Sequence, residues 1–145
     1  AAGAGQLAQG QDLFEVAYRC KAYAAGNCED IATRSQLSWN TIFMSFAPHL
    51  SKPQHEEFMA ARLAEQLQEG ALKDVQNQRP KAHAVTDIVV APLTFNTIKI
   101  QLRTLGLIRR VPRDDSRTWW QLTANGEHYL NQLMTVRRKS AVRPA

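Results

Sequence analysis

An α+β domain is what this chain predicts, from three patterns. Near the N-terminus apolar residues alternate with polar ones at period 2, as half-buried strands require. Two later segments carry apolar residues at i, i+3, i+4 or i+7, the stripe of an amphipathic helix. Residues 94–136 then read as helix, glycine stop, short β-hairpin and final helix.

In order along the chain, Phe14, Val16, Tyr18, Cys20 and Ala22 alternate with Glu15, Arg19 and Lys21. After a turn at AAGNCED the alternation returns in Ile31, Thr33, Ser35 and Leu37. A β-hairpin over 13–37 is expected. Ser38 is an N-cap residue, and Trp39, Ile42, Phe43 and Phe46 give the short helix behind it one apolar face. Pro48 disfavours helix at Ala47, so the element should end there. Ser51-Lys52-Pro53-Gln54 has capping-box form, with Glu56 and Glu57 in the first turns of a second helix. That helix carries Phe58, Met59, Leu63 and Leu67 and should stop at Gly70 or a turn later. A polar connector leads to VTDIVV at 85–90, which is short and β-branched, hence a strand. Pro92 is expected to break the chain before the next helix.

In the 94–106 helix, Phe95, Ile98, Leu102 and Leu105 form one stripe. Gly106 stands where a helix C′ residue takes positive φ, and Leu107 supplies the apolar contact beyond it. Leu107-Ile108 and Trp119-Trp120-Gln121-Leu122 should pair as strands around the exposed tip RRVPRDDSR. Consecutive strand residues face opposite sides, so Trp120, in parity with Leu122, belongs to the core. Trp119 is then half-exposed, either covering the base of the hairpin or marking a protein interface. Thr123 caps a last helix with Tyr129, Leu133 and Val136 on one face. The expected core is Trp39, Ile42, Phe43, Phe46, Phe58, Leu63, Phe95, Ile98, Leu102, Leu105, Trp120, Leu122, Tyr129 and Leu133.

At 145 residues and 44% apolar the chain can bury one ordinary core. It contains no apolar run of about 18 residues, so no membrane span is expected. The segment AAGAGQLAQG has no basic stretch leading into an apolar one, and residues 1–12 are expected to be a linker remnant attached to something longer. Residues 13–138 would be the domain, with the hairpin over 13–37 and the helices and second hairpin over 38–138; 139–145 would be a basic tail. Cys20 and Cys28 are too few for a disulfide framework or a four-ligand zinc site and fit reduced thiols in a cytoplasmic protein.

Charge is unevenly spread. From Lys99 onward there are ten Lys/Arg against three acids, a net of +7, whereas the first 98 residues hold eight against ten, a net of −2. A basic C-terminal part is the footprint of a nucleic-acid binder, or simply a solvated surface ending in a basic tail. Signals of catalysis are weak. His55-Glu56-Glu57-Phe58-Met59 lacks the second histidine of a zinc-protease helix, and His49, His55, His83 and His128 are scattered. No phosphate loop or nucleophile elbow occurs, so neither an enzyme nor a cofactor or metal is expected.

The helix–hairpin–helix order resembles the second half of a winged helix-turn-helix domain. LRTLGLIRR, RDDSR and WWQLTANGEHYL are similar to the recognition helix and wing of MarR-type regulators. Over Phe14 to Arg138, and most specifically in FNTIKIQLRTLGLI and WWQLT, the chain also resembles the C-terminal region of a bacterial family of unknown function with an N-terminal flavodoxin- or TIR-like domain. The resemblance implies a winged-helix-like domain with an added N-terminal β-hairpin and an extra strand before the third helix. It further implies a C-terminal accessory or regulatory part of a larger protein and supplies no catalytic residues. One departure is plain: a standard recognition helix follows its partner after three or four residues, and here more than twenty separate Gly70 from Phe95. Either the helix pair is wired around an insertion, or the hairpin persists without the DNA-reading geometry.

Under the first reading duplex DNA is the partner. Asn96, Lys99 and Arg103 share the outward helix face, and Asn and Arg are the side chains that read adenine and guanine edges while Lys meets phosphate. Arg109, Arg110, Arg113 and Arg117 flank the hairpin tip and could follow the backbone or enter a minor groove, although Asp114 and Asp115 oppose this. Under the second, the same domain docks a protein partner, the parent's own N-terminal domain or a second copy in a homodimer. A third reading places a small-molecule pocket between the two long helices.

Overall fold

The computed structural model describes residues 8–142, with side chains through Thr135. The basic tail from 139 and the side chain of Val136 therefore fall wholly or partly outside the described residues. In order come β1 (Leu13–Ala24), β2 (Asn27–Ser38), α1 (Trp39–Phe46), a 3-10 turn (Ala47–His49), β3 (Gln54–His55) and α2 (Glu56–Gln76). They are followed by β4 (Ala84–Val90), α3 (Pro92–Thr104), β5 (Ile108–Val111), β6 (Trp119–Leu122) and α4 (Ala124–Val142). Two antiparallel three-stranded sheets, β2-β1-β4 and β3-β6-β5, make the fold α+β.

The period-2 pattern decides which face of the first sheet is covered. Val16, Tyr18, Cys20 and Ala22 of β1 are buried with Ile31 of β2 and with Val85 and Val90 of β4. They meet the α2 stripe Met59, Leu63, Leu67, Ala71 and Val75. Inside this layer the Tyr18 hydroxyl donates to Asp74 Oδ2 at 2.7 Å. Burial, reinforced by that carboxylate, pushes the Tyr18 hydroxyl well above the usual phenol range and raises the Cys20 thiol too.

Several expectations need correction. The first turn is two residues, not the seven of AAGNCED: Ala25 (φ 52°) and Gly26 (φ 81°) make the left-handed pair that matches strand twist, and Asn27–Asp30 already pair with β1. Ser51 does not cap α2. Gln54 and His55 are extended and pair with Trp120 and Trp119, so the helix starts at Glu56, where the His55 imidazole accepts from the Phe58 N–H. Gly70 does not stop α2, because Ala71 and Val75 continue its buried stripe to Gln76. Pro92 begins α3 rather than breaking the chain ahead of it, since a first-turn N–H has no partner to lose. Phe58 is only half-buried, lying edge-on to His49 and beneath Arg62 at 5.0 Å, and Met59 takes the core place. Leu105, Tyr129 and Leu133 are likewise half-buried, and the other ten expected core residues are buried.

The residues between α2 and α3 hold β4, the third strand of the N-terminal sheet, and the chain then returns to α3. Gly106 (φ 77°) ends α3, with Gly106 N–H on Arg103 O and Leu107 N–H on Leu102 O, both at 2.9 Å. Thr123 joins two helix ends. Its hydroxyl donates to Gly106 O at 2.5 Å and accepts the Gly126 N–H at 2.9 Å. Gly126 is required by space, because a Cβ there would lie 2.0 Å from Leu107 O. Residues 8–12, on the expected linker, run back over the domain: Trp39 N–H donates to Asp12 O, Asn40 N–H to Gly10 O, and the Gln101 amide to Ala8 O.

Candidate nucleic-acid interface

The outer face of α3 and the inner side of the β5–β6 hairpin form the walls of an open groove of about 330 Å³. Four of the seven candidate residues meet there: Asn96, Lys99 and Arg103 from the helix and Arg110 from β5. Helical spacing puts the first three on one face, and strand parity turns Arg110 toward them and Arg109 away. Glu56 and Trp120 line the groove with them.

Lys99 is not a free cation. Its ammonium lies 2.8 Å from Glu56 Oε2, and the same oxygen accepts the Trp120 indole N–H at 2.8 Å. With side chains 13% and 24% exposed, the Lys99–Glu56 pair is sheltered, and it ties α3 to the first turn of α2 and to β6. Arg103 and Arg110 are exposed and join no ion pair among the described residues. Three cations against one carboxylate leave the groove formally at +2.

The other three arginines are placed differently. Arg109 donates to the Gln121 side chain at 2.8 Å, and Gln121 in turn donates to Ser51 O, so this residue braces the far side of the hairpin. Arg113 lies over the Trp119 ring at 4.6 Å, and Arg117 Nε is 3.7 Å from Glu57 Oε1. Trp119 is the centre of the tip. Its indole N–H reaches both oxygens of Asp115 at 3.0 Å, and His55 meets its ring edge-on. The indole N–H, aided by the Arg117 backbone N–H, holds the Asp115 carboxyl below the usual aspartate range. With Asp115 and Glu57 beside Arg113 and Arg117, the tip is internally neutralised, unlike the groove.

Glu56, Glu57 and His55 were not candidates from the sequence. Glu56 and Trp120 stand 64 residues apart, and the strand that joins them is two residues long, too short to show as alternation. Ile100 (64% exposed) lines the groove, and Leu93 (81%) is exposed one helical turn before Asn96, so this side of α3 is partly apolar. Among the described residues, no group of three or more His, Cys, Asp or Glu could hold a metal ion, and no helix is long and apolar enough to cross a membrane. Comparison with known families, curated proteins and solved structures returned no match to this chain.

Proposed function

We propose that this chain is a winged-helix-like DNA-binding domain, acting as a C-terminal accessory or regulatory part of a larger bacterial protein. The observation that carries the reading is the +2 groove in which Asn96, Lys99, Arg103 and Arg110 converge, with both arginines unpaired among the described residues. Support also comes from α2 and α3 standing beside a three-stranded sheet in which β3 completes the β5–β6 hairpin. In this reading α3 enters the major groove, Asn96 and Arg103 face base edges, and Arg110 follows a phosphate. Lys99 contributes less than its charge suggests because Glu56 already neutralises it. Arg109, Arg113 and Arg117 act mainly by holding the hairpin in shape.

The test is fluorescence anisotropy with a random-sequence duplex at about 50 and about 200 mM salt. Micromolar binding that weakens steeply with salt is expected; Arg110→Ala, at a phosphate, should flatten the log–log slope by about 0.9, and Arg103→Ala, at a base edge, should weaken binding with little change of slope. Absence of binding at the lower salt refutes the assignment. A second reading, docking of a protein, the parent's N-terminal domain or another copy, is favoured by Leu93 and Ile100 alone. Leu93→Asp with Ile100→Glu would then abolish capture of the partner, or dissociate a dimer, in a chain that does not bind DNA.

A further inference from the structure

The outermost line of α3 is apolar, although it borders a basic groove. At about 100° per residue, Leu93 and Ile100 fall on one line of the helix, opposite the buried Phe95, Ile98 and Leu102. Both are exposed and stand outside the core cluster. Asn96 and Arg103 each follow one turn after an apolar residue and about 60° round the helix from it. The ridge therefore runs Leu93, Asn96, Ile100, Arg103, apolar and polar in alternation. Its ten-residue rise is about 15 Å, the length of about four stacked base pairs. Lys99 is turned to the other side of this ridge, where Glu56 holds it.

Packing does not account for the two aliphatic side chains, and helix propensity does not favour isoleucine on a solvent line. A stable protein interface takes about 800 Å² from each partner and sheds charge at its centre. Two aliphatic residues interleaved with Asn96 and Arg103, beside a groove at +2, offer neither the area nor the composition. They suit instead an anionic surface that carries isolated apolar groups. The major groove of duplex DNA presents one such group, the 5-methyl of thymine.

We propose, on the DNA-binding reading above, that Leu93 and Ile100 are specificity-determining residues that pack on thymine 5-methyl groups, so the preferred partner is an A·T-rich duplex read in the major groove. Asn96, between them, has the side chain that pairs with adenine N6 and N7, so all three select the same kind of base pair. Arg103, one turn further, meets a guanine at the end of the tract. Ile100 makes the stronger contact, because it lines the groove with Asn96 and Arg103 while Leu93 stands in the first turn of α3. Arg110, across the groove, keeps its phosphate.

The probes are two duplexes of one sequence, an A·T tract ended by G·C pairs, one made with thymine and the other with deoxyuridine. The exchange removes the 5-methyl groups and keeps every phosphate and every hydrogen-bonding atom of the groove. Anisotropy with the full chain at about 50 mM salt should show the thymine duplex bound more tightly, by about fourfold for each methyl covered and about fifteenfold for two. Leu93→Ala with Ile100→Ala, both at exposed positions, should bring the two duplexes to equal affinity. The same double variant should keep the salt slope, because an apolar contact releases no counterion. Equal wild-type affinity for the two duplexes would overturn the thymine contact and leave DNA binding standing. A thymine preference that survives in the double variant would overturn the assignment to Leu93 and Ile100. Binding of neither duplex would overturn the DNA-binding reading and the thymine contact with it, and would leave the ridge to a protein partner.

Discussion

Glu56→Gln should weaken the fold and, under the proposed function, strengthen DNA binding at once. The glutamate joins three elements through one oxygen, taking the Lys99 ammonium and the Trp120 indole, each at 2.8 Å. A glutamine keeps the acceptor for Trp120 but sets an amide in place of the carboxylate that Lys99 needs. A hydrogen bond to a charged group contributes about 1.5–3 kcal/mol, and partial exposure reduces this to about 1–2 kcal/mol here. For a chain of this size that corresponds to a Tm lower by roughly 2–8 °C, read by calorimetry. The groove meanwhile passes from +2 to +3, as Lys99, Arg103 and Arg110 lose their one opposing carboxylate. The anisotropy titration should then show tighter binding at low salt and a log–log slope steeper by up to about 0.9. General unfolding would lower affinity, so the opposite signs are diagnostic. An unchanged Tm would refute the structural role of the pair. A lowered Tm with an unchanged salt slope would show that Lys99 lies outside the DNA contact.

Two glycines separate helix propensity from packing. Gly70→Ala should stabilise by about 0.5–1 kcal/mol, because Gly70 sits inside α2 with open space where a Cβ would go. Gly126→Ala should destabilise by about 1–3 kcal/mol, since its Cβ would meet the Leu107 carbonyl at 2.0 Å. Urea unfolding of both variants checks the pair, and a common sign would overturn the argument. Tyr18 predicts an alkaline limit. Its folded-state pKa is raised, so its contribution is complete below the ordinary value of 10.0 and falls as pH rises above it, by about 1.4 kcal/mol per pH unit. Tyr18→Phe should remove that extra slope between about pH 10 and 11, and equal slopes in the two proteins would refute the assignment.

Local pattern is legible in this chain wherever one face of an element is buried against a continuous core. Alternation over Phe14–Ala22 and Ile31–Leu37 specified β1 and β2, and the stripes from Trp39 and Phe95 specified α1 and α3, because strand and helix periods are set by backbone geometry. Ser38, Gly106 and Thr123 did their expected work at helix ends for the same reason: a cap bonds within four residues, so its partners are visible in the sequence. The candidate groove was legible only in part. Asn96, Lys99 and Arg103 share a helix face by spacing alone, and their seven-residue span told which side they occupy.

What tertiary structure alone decided was which charges are free. Glu56, 43 residues from Lys99, neutralises that lysine, while Trp119 and Asp115 turn a basic tip inward upon itself, leaving Arg103 and Arg110 as the groove cations that join no ion pair among the described residues. Placing β4 beside β1 also needed the folded chain, as did starting α2 at Glu56, because a two-residue strand has no period to read. Sequence patterns report a residue's own backbone and face. Electrostatic neutralisation, cavities and short pairings depend on residues brought together from tens of positions away, and no local pattern encodes that meeting.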